Sequence, residues 1–72
     1  MKYFAGIDQG GSKCDVLIGN EHGDIIDRYV DAGYSAFLDQ IKTGEIKSNE
    51  EFYIKCIGQQ VNYLNLLLER NQ

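Results

Sequence analysis

Little in this sequence can staple a small fold. It has two cysteines, Cys14 and Cys56, 42 positions apart, and no Cys/His group with zinc spacing. Proline is missing altogether, and no function follows from that. No apolar run approaches the roughly 20 residues that span a bilayer. The N-terminal residues MKYFAGIDQGG lack the apolar stretch and small-residue cleavage site of a signal peptide. The expectation is a cytoplasmic chain whose thiols stay reduced. Basic charge is scarce too: seven Lys and Arg stand against eleven Asp and Glu, a net charge of −4. Scattered Lys2, Lys13, Lys42, Lys47 and Lys55 assemble no basic face that could neutralise phosphates, which argues against a nucleic-acid partner.

What is present suits one small globular domain. The chain has 72 residues, of which 43% are hydrophobic. That is about half the length of a typical domain. Its core is expected to be marginal, because chains of about 60 residues bury only roughly 60% of their unfolded surface.

The chain divides into a β-rich part, residues 1–34, and a helical part, residues 35–72. Tyr3 to Ile7 is an apolar run with little alternation, which predicts a strand buried on both faces. Asp8-Gln9-Gly10-Gly11-Ser12 reads as a turn in which the paired glycines supply positive φ. Cys14 to Ile18 follows as a strand with Cys14, Val16 and Ile18 on one face. The turn formers from Gly19 to Asp24 close a hairpin onto a third strand, Ile25 to Val30. The three strands form an antiparallel meander.

Ser35 is placed to cap a short helix running to Lys42, with Gly44 as its stop. Ser48-Asn49-Glu50-Glu51 matches a capping box and opens a longer helix to Arg70. Apolar Tyr53, Ile57, Val61, Leu64 and Leu68 recur at helical spacing and predict its buried stripe. At 1.5 Å per residue this helix is about 34 Å long, against about 23 Å for a strand of seven residues. It is expected to overhang the sheet. The leucine-rich stripe through Leu66, Leu67 and Leu68 reads as core or, in a fragment, as an apolar end left uncovered. Such an end offers a surface for self-association.

The segment that carries chemistry is Gly6-Ile7-Asp8-Gln9-Gly10-Gly11-Ser12-Lys13-Cys14-Asp15. A carboxylate ends a strand and is followed by a glycine turn, a hydroxyl and a lysine. Gly10 and Gly11 let backbone N–H groups approach an anion closely, Ser12 adds a hydroxyl donor and Lys13 a positive charge. Asp8 is placed to hold Mg²⁺ through water, since magnesium keeps several waters and takes one or two carboxylates. A P-loop is excluded: Gly6 and Gly11 have its spacing, but Ser12-Lys13 inverts the Lys-Ser/Thr order and a strand follows. A dinucleotide-binding G-x-G-x-x-G is excluded because position 8 is Asp and no helix follows. On physics alone, an ordinary tight hairpin with a solvent-facing Asp fits the same residues equally well. His22 lies in a turn with no nucleophile nearby.

In its order of strand, glycine turn, strand, turn, strand and helix, the chain resembles the start of the actin-like ATPase superfamily. The segment Gly6 to Asp15 is most similar to the BadF/BadG-type ATPase and N-acetylglucosamine kinase family, which typically reads G-x-D-G-G-G-T-K-T-D. Gly6, Asp8, Gly10, Gly11, Lys13 and Asp15 match, and Ser12 replaces Thr; Gln9 and Cys14 depart from the pattern. Gln9 also resembles the D-Q-G-T turn of glycerol-kinase-like enzymes. The Asn20-Glu21-His22-Gly23-Asp24 turn resembles the family's D-E-D-G hairpin. The likeness covers residues 1 to about 34, and residues 35–72 carry no motif of the family.

This resemblance implies an α/β fold, the N-terminal portion of an RNase-H-like domain. It also implies ATP and Mg²⁺ as ligands, with Asp8 on the metal and Gly10, Gly11, Ser12 and Lys13 on the nucleotide's phosphates. The parent reaction is transfer of the γ-phosphoryl group to a sugar hydroxyl, or ATP hydrolysis coupled to electron-transfer activation. Family members are several times longer, and their second phosphate motif, adenosine motif and sugar-binding residues have no counterpart here. The expectation is a half-site, inactive alone, since phosphoryl transfer needs clamps on both sides of the transferring group. The alternative is a small non-enzymatic interaction module, a homo-oligomer joined through its C-terminal helix.

Overall fold

Two short turns fold the first part of the chain into a sheet of three antiparallel strands. The computed structural model describes residues 2–72. Strand β1 is Tyr3–Gln9, β2 is Lys13–Asn20 and β3 is Ile25–Ala32; helices α1, Ser35–Thr43, and α2, Asn49–Arg70, follow. The spatial order is β1-β2-β3, with β2 central. The β2–β3 hairpin closes on Asn20, whose Oδ1 accepts from the His22 and Asp24 N–H groups at 2.9 and 3.0 Å. Gly23 completes it at φ 86°, a conformation that costs glycine nothing.

Side-chain alternation gives the sheet two unlike faces. Cys14, Val16 and Ile18 point to the helical side and are fully buried, with Leu67 of α2 set against them. Their cross-strand partners Gln9, Ile7 and Ala5 on β1, and Asp31, Tyr29 and Asp27 on β3, share that face. The opposite face carries Phe4, Gly6, Asp8, Asp15, Leu17, Arg28 and Val30, and no helix covers it. β1 is therefore not buried on both faces, as its apolar run suggested. It is an edge strand, and Phe4 (63%) and Ile7 (47%) are exposed.

Helix α2 begins as its capping box requires. Ser48 Oγ accepts from the Glu51 N–H at 3.1 Å, and Glu51 Oε2 reaches back to the Lys47 N–H at 2.8 Å. Glu50 and Glu51 lie in the first turn and Arg70 in the last, matching the helix dipole. Helix α1 stops at Gly44 in the left-handed conformation, φ 84°. Ser35 does not cap it. The N-cap residue is Tyr34, without a side-chain cap, because carbonyl groups of another turn satisfy those first N–H groups.

The stripe that the apolar periodicity of α2 marks is packed only in its C-terminal part, where Leu64 and Leu68 lie against the core. Tyr53, Ile57 and Val61 are 62%, 56% and 48% exposed, while Cys56 and Leu67 are buried. Tyr63, Leu64 and Leu68 pack around the core from partly buried positions. Polar contacts flank the packed part of the helix. Near the C-terminus, Arg70 Nε and Nη2 donate to both Asp27 carboxylate oxygens at 2.6 and 2.8 Å. Asn71 Nδ2 adds a bond to Asp27 Oδ2 at 2.7 Å, and Tyr3 Oη donates to the Asn71 carbonyl at 3.3 Å.

At the other end of the sheet an amide relay fixes the helix. Gln9 Nε2 donates to Gln59 Oε1 at 2.5 Å, and Gln60 Nε2 donates to Gln9 Oε1 at 2.5 Å. Gln59 Nε2 donates to the Ala32 carbonyl at 2.6 Å. Residues 56–71 thus run along the sheet, with Cys56 buried near Cys14, and the first seven residues of α2, about 10 Å, extend beyond it, where Phe52 packs edge-on against Tyr34. The overhang is at the N-terminal end of α2, not at the three leucines, of which Leu67 is wholly buried and Leu66 alone exposed. The molecule is accordingly long, 44 × 18 × 17 Å. Among the described residues, no helix is long and apolar enough to cross a membrane.

Candidate functional site

The glycine turn between β1 and β2 is held from outside by the chain that leads into α1. Gly10 N–H donates to the Lys13 carbonyl at 2.9 Å and closes the turn locally. Gly10 O accepts from the Tyr34 N–H at 3.1 Å, and Gly11 O accepts from the Ser35 N–H at 3.0 Å. Both glycine carbonyls are engaged. The N–H groups of Gly11 and Ser12 donate to no backbone acceptor among the described residues. An anion meets unpaired donors there.

The glycine that this arrangement demands is Gly33, which sequence reasoning missed. A β-carbon on Gly33 would lie 2.1 Å from the Gly10 carbonyl oxygen and 2.6 Å from the Lys13 nitrogen. Only a residue without a side chain lets the backbone after β3 come this close. Neither Gly10 nor Gly11 has positive φ, contrary to the expectation for this turn; among the described residues only Gly23 and Gly44 do. A β-carbon at Gly10 would have the Lys13 carbonyl oxygen as its nearest neighbour at 3.8 Å, and one at Gly11 would touch Tyr34 Oη at 3.5 Å. Neither backbone conformation nor close packing within the chain requires glycine at these two positions.

Asp8 sits on the open face, exposed, directly across from Asp15. Two like charges facing each other across strands repel. Arg28, also missed at the sequence level, answers one of them: its Nε lies 3.1 Å from Asp15 Oδ1. The pair is one of proximity without an aligned hydrogen bond, since Asp15 Oδ1 is buried and accepts none. Gly6, Asp8, Asp15, Leu17 and Arg28 line a cleft of ≈ 300 Å³ on this face. Lys13 shares the parity of Asp15 along β2, so the structure brings Asp8, Lys13 and Asp15 to one end of one face, with exposed Ser12 at the turn.

Gln9 points the opposite way, into the amide relay with α2, and is a structural anchor for the strand that carries Asp8. Cys14 and Cys56 are buried free thiols. Burial pushes the Cys14 thiol above its ordinary value, and neighbouring Cys56 and Asp15 push the same way. Burial alone raises Cys56. Neither is a poised nucleophile.

No group of three or more His, Cys, Asp or Glu side chains among the described residues could hold a metal ion. The donor set at the turn is one uncompensated carboxylate, Asp8. That suits magnesium carried by phosphate oxygens and water, and does not suit a metal caged by protein alone.

No protein-family model, no curated protein and no solved structure matches the chain.

Proposed function

We propose that the chain binds nucleotide phosphate through the turn Gly10-Gly11-Ser12-Lys13, as the N-terminal segment of an ATP-dependent sugar kinase or ATPase of the BadF/BadG type. The observation that carries this reading is the asymmetry of the turn. Its glycine carbonyls are tied to Tyr34 and Ser35, while the Gly11 and Ser12 N–H groups remain free to donate. Adjacent backbone N–H groups left unpaired in a turn are the donors an oxyanion would need. The Ser12 hydroxyl adds a donor, and Lys13 supplies a cation beside it.

In this reading Asp8 would hold Mg²⁺, and the ion would supply positive charge to the nucleotide's phosphates. Gly33 keeps the turn in place, and Gln9 fixes the strand on which Asp8 rides. The segment completes an RNase-H-like domain only with further strands, and it binds without turning ATP over. Equilibrium dialysis with labelled ATP and magnesium tests this. Retention by the wild type and loss in Asp8→Asn and Lys13→Ala support it, and equal retention by all three counts against it.

A second reading, an interaction module, is favoured by one observation. The apolar stripe Tyr53, Ile57 and Val61 stands open to solvent on α2. Monomeric proteins rarely leave such a stripe uncovered unless it meets a partner.

A further inference from the structure

β1 has few of the devices that keep an edge strand single; Asp8 is its one charge. It is bonded to β2 alone, its seven residues contain no proline, and its pairing runs without a bulge. Edge strands that remain unpaired are usually short, bulged, charged or covered. The molecule also exposes more surface than its mass requires. Its accessible area is 5067 Å², where an 8.2 kDa monomer has about 4,500 Å². Its radius of gyration is 13.9 Å, where a compact chain of this length gives about 11 Å. The overhang of α2 contributes to both figures, and the edge of β1 adds open surface of its own, with Phe4 63% and Ile7 47% exposed.

We propose that two copies of this chain associate by antiparallel pairing of β1 with β1, about a two-fold axis through Ala5. This carries the interaction-module reading beyond the helix, to a defined edge and register. Ala5 then faces Ala5, Tyr3 faces Ile7, Phe4 faces Gly6 and Lys2 faces Asp8 of the second copy. An aromatic opposite a β-branched residue is a favourable cross-strand pair. Lys2 arrives at the carboxylate that has no ion-pair partner among the described residues, since Arg28 serves Asp15 only.

Neighbouring registers lose this match. An axis through Gly6 sets Phe4 against Asp8 and leaves Lys2 without an acid. An axis through Phe4 places Asp8 beyond the pairing. With the axis at Ala5 the helices of both copies lie on the same side, and the sheet extends to six strands.

Lys2 of the second copy and magnesium compete for Asp8, so the test is made in EDTA. Sedimentation equilibrium of the full chain is expected to give twice the 8.2 kDa chain mass. Ala5→Lys sets two lysines against each other on the axis and is expected to return the single-chain mass. Ala5 is exposed in one chain, so a retained circular dichroism spectrum shows that the fold survives. Lys2→Asp and Asp8→Lys are each expected to weaken association about tenfold, and the double reversal to restore it. This pair of variants decides the matter even if Ala5→Lys fails to fold. A single-chain mass for the wild type, a dimer indifferent to Ala5→Lys, or a double reversal no tighter than the single ones would overturn the proposal.

Discussion

Gly33 and the carbonyl oxygen of Gly10 approach so closely that a β-carbon on Gly33 would stand 2.1 Å from that oxygen. The phosphate turn and the entry to α1 are therefore one packed unit, although 23 positions separate the two glycines in sequence. Gly33→Ala is expected to destabilise the chain by about 3 kcal/mol, the upper part of the range for overpacking. Gly10→Ala, at ordinary φ with nothing nearer than 3.8 Å to the new β-carbon, should be neutral or stabilise by up to about 1 kcal/mol through the unfolded chain. Urea denaturation followed by circular dichroism compares them, and equal midpoints would show that the turn and the α1 entry are not packed together.

The packing of only the C-terminal part of α2 has a direct consequence. Leu67→Ala opens a cavity among Cys14, Val16 and Ile18 and should cost about 2–5 kcal/mol. That is most of what a core this small supplies. Ile57→Ala, on the exposed stripe, should stay within about 0.5 kcal/mol. Reversed effects in thermal melts would place the packed part of the helix at Ile57 instead.

Asp27 makes the fold acid-sensitive. Hydrogen bonds from Arg70, then Asn71, hold its carboxyl well below the usual carboxylate range. Its folded value lies below its unfolded one, near 3.9. The resulting stability is in full force above that value and is lost as pH falls below it towards the folded value. Melting temperature should drop below about pH 4, and Asp27→Asn should flatten that drop while lowering the plateau at neutral pH. The side chains are partly exposed, so high salt should shrink the difference. A profile of the same slope in both proteins would dissociate Asp27 from the acid limb.

Thiol chemistry reports on the sheet–helix interface. Cys14 and Cys56 are buried with their thiols raised by burial, so both should react slowly with Ellman's reagent in the native chain and at once in urea. Fast native labelling of Cys14 would mean that α2 does not stay seated on β2.

The parts of the fold legible in the sequence are those that local chemistry decides. Ser48 caps α2 because a serine three residues before a glutamate satisfies helix N–H groups wherever it occurs. Gly44 and the Asn20-to-Gly23 turn are likewise local. Cys14, Val16 and Ile18 show their face by alternation alone. The packed part of α2 was not legible in full because apolar residues lie on both sides of it. The buried side also includes Gln59 and Gln60, whose value depends on Gln9 and Ala32 far away in sequence. Gly33 reads as an ordinary loop glycine until the strands pair and bring Gly10 beneath it. In the site, Asp8 and the turn were visible as a motif, whereas Arg28 emerged only once register placed it beside Asp15.

The central claim is that the turn from Gly10 to Lys13 receives phosphate. The most direct measurement is a ¹H–¹⁵N correlation titration of the chain with millimolar Mg·ATP, repeated with Asp8→Asn. The expected result is saturable shifts at Gly11 and Ser12, whose N–H groups donate to no backbone acceptor among the described residues, and at adjoining Lys13, with weaker binding in the variant. A well-dispersed spectrum that stays still at those residues, or moves equally in both proteins, would contradict the account.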